Sequence, residues 1–363
     1  METASRSLLG VIAAALAAVI LLPAPASAQR RAPTFPQVQA ASIVPEYAAV
    51  LRALDPAQPE SILKARDAAV EQYSKAASPD ADAVFRQFQA FYDSVLAKKT
   101  PYVRLHSPLD ELLNDICERR VFQCRAATAD AFLASTEPGD VKRRAASKPA
   151  VADLARYRAC GIWFFSGEGD WYPAPDPAFV SGVAARLPLG ELGEWVTFWA
   201  AETPQRIADD ASLLIGWDDL RQRVGRWEGF ARAHPELPET QVEVLPHMAN
   251  LVAVYVFGIP NTHAYDERFG TTPTYDVRAG GAPPAGARAW TMRIDPQLKS
   301  SYDRFLVQNR DSAYYHVIDG IVTRIRTSGG VPTRDLVDSL RAELKDPYFK
   351  SWFGATERWL NGR

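Results

Sequence analysis

Apolar residues recur at helical spacing through most of this chain. Ala and Leu share a face from Ile62 to Tyr73, and Val84, Phe88, Phe91 and Val95 stand at i, i+4, i+7 and i+11. That spacing marks one side of an α-helix. Leu192, Trp195, Val196 and Trp199 form another stripe, and further helices are expected near 217–232 and 241–257. Boundary signals agree with the stripes. Ser107-Pro108-Leu109-Asp110 supplies an N-cap hydroxyl, a proline suited to the first turn and an acid that complements the helix dipole. Asp295-Pro296, Thr333 and Asp346-Pro347 look like starts of C-terminal helices, while Gly258 and Pro260 mark an αL stop. Period-two alternation is confined to Ile162–Phe165, beside the turn-rich Gly167–Pro177, and to Tyr275–Val277. The expected fold is mainly α: packed antiparallel helical hairpins, as an α-bundle or irregular α-solenoid, with at most a short β element near 162–177.

The N-terminus breaks this pattern. Arg6 precedes an unbroken apolar run from Leu8 to Leu22, followed by Pro23 and Ala26-Ser27-Ala28. A cationic start, an apolar segment, a helix breaker and small residues at −3 and −1 are the layout of a secretory signal peptide. Residues 1–28 are therefore expected to be cleaved after Ala28, since a spanning helix needs about 20 apolar residues. Residues 29–43 read as a flexible leader and 44–363 as a single α-rich domain with a candidate subdivision near 137–150. Glu137–Pro149, with Lys142-Arg143-Arg144, reads as a solvated loop, and Gly270–Gly286, with seven Gly or Pro, as a mobile one. The expected destination is the bacterial periplasm or the medium, with no membrane span after signal cleavage.

Composition narrows the function. The 363 residues carry 41 Lys+Arg against 43 Asp+Glu and are 47% hydrophobic, too apolar for a disordered chain. A formal charge of −2 argues against a phosphate-backbone binder, which needs a basic face, so no nucleic-acid partner is expected. An exported chain can form disulfides. Cys117 and Cys124, on one unbroken helix, would lie about 10.5 Å apart along the axis, beyond the roughly 7 Å that a disulfide spans. They can pair only if the helix breaks between them. The expected bond therefore involves Cys160, leaving the third Cys as a buried free thiol.

The stretch Trp227-Glu228-Gly229-Phe230-Ala231-Arg232-Ala233-His234-Pro235-Glu236-Leu237-Pro238 can be laid on Tyr302-Asp303-Arg304-Phe305-Leu306-Val307-Gln308-Asn309-Arg310-Asp311-Ser312-Ala313. Each places an aromatic and an acid before Phe, ends a helix at a polar break and starts another. This resembles the helix–turn–helix units of tetratricopeptide-like repeats in exported bacterial proteins, matched over about 25 residues twice. The copies lie 75 apart rather than at that family's period of about 34, and Arg310 replaces the proline. The resemblance implies α-hairpin packing and carries no activity. The order Ser166-Gly167-Glu168-Gly169-Asp170-Trp171-Tyr172, then Glu202, Asp209-Asp210 and Asn261-Thr262 is also similar to uncharacterised exported bacterial proteins.

Catalytic motifs are sparse. The five His lack ligand spacing, and there is no P-loop, dinucleotide fingerprint or serine elbow, so no metal or cofactor is expected. Six of the nine Trp lie between Trp163 and Trp227, interleaved with acids. Aromatic faces pack on sugar rings, and two carboxyls about 5–10 Å apart can hydrolyse a glycoside. Trp195, Trp199 and Trp227 fit an apolar core instead. Candidate ligand-binding residues are Glu168, Trp171 and Tyr172 in the Gly/Pro-rich turn, with Asn261, Thr262, His263, Tyr265 and Asp266 at a helix end. The expected role is binding an envelope protein, peptide or glycan. The alternative is a cell-envelope hydrolase (glycoside or peptide) using Glu168, Asp170, Glu202 and Asp209. A third class, an inhibitor presenting loop 270–286, has less in its favour.

Overall fold

A computed structural model describes residues 43–75, 80–99, 107–117, 123–124, 126–167, 170–209, 212–259, 261–266 and 293–327. The expected signal peptide, most of the expected leader, Glu168, the strand expected at Tyr275–Val277, the loop expected at 270–286 and the helices expected from Thr333 and Asp346 lie outside them. The described residues are mainly α, as the periodicity predicts, with short antiparallel β elements. They fall into two compact units, the first drawn from residues 24–209 and 237–239, the second from 210–236 and 240–363. The candidate subdivision near 137–150 lies inside the first unit.

In the first unit, α1 (Pro45–Arg52), α2 (Glu60–Tyr73) and α3 (Ala81–Lys99) pack on one another. Tyr47 reaches across to donate its hydroxyl to the Ala65 carbonyl of α2 at 2.9 Å. Val84, Phe88 and Val95 are buried as the spacing implies, but Tyr92 rather than Phe91 fills the third position of the stripe. α4 (Pro108–Ile116) begins where expected, with Ser107 Oγ accepting the Asp110 N–H at 3.2 Å. It ends at Cys117, whose backbone is extended.

Two expectations are corrected beyond that point. Following β1 (Gln123–Cys124) and α5 (Ala126–Ala134), residues 137–149 form helix α6 (Pro138–Ala146) and the start of α7 (Lys148–Ala159), not a loop. The basic run explains the helix. Pro138 and Asp140 suit its first turn and Arg143 and Arg144 its last. Arg144 also donates to the Phe132, Leu133 and Ser135 carbonyls and so caps the end of α5. Second, Cys160 is buried with a free thiol, so no disulfide forms there. Burial, reinforced by Glu60, pushes that thiol up to about 11, which leaves it protonated and unreactive at neutral pH.

Gly161 turns the chain out of α7 with φ 80°, where an added Cβ would run into the Phe179 ring. The hairpin β2 (Ile162–Gly167) and β3 (Asp170–Pro175) follows, in the sheet order β1-β2-β3. Pro173 and Pro175 sit at alternate positions of the edge strand β3, where a missing N–H is tolerated and hinders addition of a further strand. α8 (Pro177–Ala184) is capped by Asp176, which accepts the Ala178 N–H at 2.9 Å. α9 (Gly190–Glu202) buries Leu192, Trp195, Val196 and Trp199, the predicted stripe. The two-residue β4 (Ala208–Asp209) closes the unit.

The second unit opens with β5 (Ser212–Leu213), and its described residues contain two helical hairpins. The first is α10 (Trp217–Ala233), then a π-turn (Thr240–Val244) continuing into α11 (Leu245–Phe257). The second is α12 (Pro296–Gln308) and α13 (Tyr315–Thr327). Short ladders join β6 (Gly258–Ile259) to β7 (Thr262–His263), and β8 (Tyr265–Asp266) to β9 (Arg293–Ile294). Gly258 stops α11 at positive φ as expected, but with ψ −162° rather than αL. An added Cβ there would collide with the Thr262 carbonyl and the Ala264 nitrogen. Buried polar groups tie the hairpins together. Tyr302 donates to the Tyr255 and Val256 carbonyls at 3.1 and 3.3 Å, satisfying groups that α11 leaves open at its end. Ser301 Oγ lies 2.9 Å from the Tyr255 hydroxyl and 3.1 Å from the Trp217 carbonyl. Asp295 caps α12, as its Asp-Pro start predicts, and also accepts the Trp217 indole N–H at 3.0 Å.

Candidate functional site

The β2–β3 hairpin carries the sequence candidates of the first unit. Its register pairs Ser166 with Trp171 and Phe165 with Tyr172, so successive side chains alternate between two faces. Trp171 falls on the inner face. It is 2% exposed and donates its indole N–H to Asn114 Oδ1 of α4 at 3.1 Å. Its position in a Gly/Pro-rich turn suggested an available ring; pairing with Ser166 turns that ring into the helices instead.

Tyr172 lies on the opposite face and is half-buried. Its ring stacks on Phe165 with centroids 5.4 Å apart and planes 30° from parallel. Trp163, Phe165 and Ala174 form a buried cluster beneath it. Arg206 completes the rim. Its guanidinium sits 5.7 Å from the Phe165 centroid and donates to the Ser166 carbonyl at 2.8 Å. Ser166, Tyr172 and Arg206 are all half-buried, so the rim presents a cation and a phenol held in place by an aromatic stack. The Trp163 indole N–H is buried in the same face without a hydrogen-bond partner among the described residues. The sequence reading missed Arg206 and Phe165. A signal existed, because centring a two-residue turn between Gly167 and Asp170 places Phe165 opposite Tyr172.

The proposed carboxylates are placed unevenly. Glu202 is 7% exposed at the end of α9. Asp170 and Asp209 are located through their backbones, at the start of β3 and the end of β4, while Glu168 lies outside the described residues.

The polar cluster after α11 belongs to the second unit. Thr262 is half-buried and accepts the Leu213 N–H at 2.9 Å. That anchors the loop, as a side-chain-to-backbone bond does. Asn261 and His263 are exposed, and His263 pairs through its backbone with Gly258. Tyr265 and Asp266 are placed by their ladder to Ile294 and Arg293. The sequence candidates thus fall in both units. Among the described residues, no group of three or more His, Cys, Asp or Glu could hold a metal ion, and no helix is long and apolar enough to cross a membrane. In comparisons with known proteins, no family model, no curated protein and no solved structure matches this chain.

Proposed function

We propose that the chain is an exported bacterial binding protein that recognises an envelope protein, peptide or glycan at the Tyr172–Arg206 rim of its β2–β3 hairpin. One observation carries the reading: a half-buried Tyr and a half-buried Arg flank the same Phe165 ring. Tyr and Arg at such a rim offer large contact area with little rotamer entropy left to lose. The prolines of β3 disfavour strand addition, so recognition uses the face of the hairpin. Export follows from the signal-peptide pattern of residues 1–28 and fits a disulfide at Cys117, just where α4 breaks.

The test is affinity capture from envelope extract with the mature chain, beginning at Gln29, against a Tyr172→Ala, Arg206→Ala variant. Loss of at least about tenfold in captured ligand is expected, from two rim contacts of roughly 1 kcal/mol each. Equal capture by both forms would remove the rim as the site. Trp171→Ala is unsuitable, since it opens a cavity in the inner face. The hydrolase reading rests on Glu202, 7% exposed at the end of α9. It predicts soluble fragments released from purified sacculi by the natural chain and none by Glu202→Gln.

A further inference from the structure

The chain's cysteines stand at positions 117, 124 and 160, all in the first unit. Cys160 is 1% exposed and free. Its thiol, raised to about 11 by burial, stays protonated and is a poor nucleophile for exchange. Cys117 is buried where α4 stops, with φ −101° and ψ 139°. Cys124 is placed by its backbone in β1, opposite Phe164 of β2. An unbroken helix would hold Cys117 and Cys124 too far apart to bond, and the extended backbone at Cys117 removes that objection.

We propose that Cys117 and Cys124 are joined by a disulfide that staples β1 to the end of α4 and so braces β2 at Phe164 and Phe165. Cys117 is the bonded cysteine and Cys160 the free one, which leaves Cys124 as the partner within the chain. The bond forms by thiol–disulfide exchange. Both thiols lose their protons and one Sγ–Sγ bond is made. The two electrons and two protons reduce the disulfide of the exchange partner to a dithiol. A dithiol reductant reverses the step.

The topology gives this bond a local task. β1 consists of Gln123 and Cys124, paired with Phe165 and Phe164. So short a strand adds little stability of its own and needs an anchor to keep its register. α4 already holds β3, through the Asn114 Oδ1 that accepts the Trp171 N–H at 3.1 Å. With the disulfide, the same helix anchors both neighbours of β2. The braced strand carries Phe165, the ring that Tyr172 and Arg206 flank, but the bond does not depend on what the rim binds.

Peptide mapping of the natural mature chain without reductant tests the pairing. It should give one linked species that joins the Cys117 and Cys124 peptides, with the Cys160 thiol free to alkylate after unfolding. A bond to Cys160, free thiols at all three cysteines, or a dimer joined through Cys117 would overturn the pairing. Hydrogen exchange on the same chain, before and after a dithiol reductant, tests the task. Protection of the 123–124 and 164–165 amides should fall about tenfold or more on reduction, because a closed loop restricts the opened chain by at least that factor. Amides of α9 should keep theirs. Unchanged protection at 164–165, or an equal loss across α9, would overturn the brace. Cys117→Ser should reproduce the reduced pattern, and the oxidised pattern in that variant would count against the brace in the same way.

Discussion

The two helical hairpins of the second unit share a local plan and differ in how it is used. In α10, Trp227, Glu228 and Phe230 precede a C-cap at His234; in α12, Tyr302, Asp303 and Phe305 precede one at Asn309. The caps are nearly superimposable, with φ −127° and ψ 58° in one and φ −116° and ψ 40° in the other. Each cap N–H donates to the Phe carbonyl four residues earlier, at 3.0 and 2.8 Å. The acids diverge. Glu228 is buried and accepts the Ala313 N–H at 2.6 Å, ahead of α13, whereas Asp303 pairs at the surface with Lys299. Glu228 belongs to a row along α10 that grips the second hairpin's break. Arg221 bonds Asn309 Oδ1 at 3.2 Å, and Arg232 bonds the Asp311 carbonyl at 2.9 Å. One short pattern therefore encodes how a helix ends, while the tertiary use of its acid depends on which segment passes beside it.

The largest expected effect tests the shared part. Phe305 is 1% exposed, and Phe305→Ala should cost about 3–5 kcal/mol in urea titration. Phe230, at the margin of burial and stacked 4.5 Å from His234, should cost about 2 kcal/mol as Ala. A larger loss at Phe230 would break the equivalence. The next effect tests the difference. Glu228→Ala leaves the Ala313 donor without its acceptor and should cost about 2–3 kcal/mol. Asp303→Ala, which opens an exposed pair, should cost about 0.5 kcal/mol or less. Similar costs for the two acids would mean that the buried bond adds little to the stacking of the hairpins.

This contrast also explains what could be read from the sequence. Helix ends and apolar stripes are local, and Ser107, Asp295, Gly258 and the α9 stripe all appear where residue types imply them. Even so, Gly258 takes a ψ outside αL because the β6–β7 ladder turns back onto it. Arg144 was misread because its basic neighbours look solvated. Its role depends on the α5 carbonyls, which come close only after α6 forms. Trp171 was misread for a related reason: composition marks a turn but does not say to which face the strand register sends each ring. Arg206 and Phe165 are far apart in the chain, so their contact carries no short-range signal. Cys160 fails similarly, since the break of α4 at Cys117 is not evident from its apolar spacing.

A last comparison separates the hairpins by pH. His247 of α11 stacks on Trp227 at 4.0 Å, and its Nε2 is buried without a hydrogen-bond partner among the described residues. Burial, together with the positive charge of Arg223, holds its pKa down to about 3. In α13, His316 lies in solvent. The folded protein thus keeps His247 neutral, while the unfolded chain takes up its proton near pH 6.5. Stability from this group is complete above 6.5 and is lost as pH falls towards 3, because the unfolded state then binds more protons. By pH 5 the loss should reach about 2 kcal/mol. His247→Phe keeps a ring against Trp227 without a titrating group. Urea midpoints at pH 7.5 and 5.0 should therefore fall further for the natural protein than for the variant, whereas His316→Phe should leave the difference unchanged. If His247→Phe destabilises on acidification as much as the natural protein does, the acid sensitivity does not reside in the first hairpin, and the two hairpins are alike in this respect as well as in their caps.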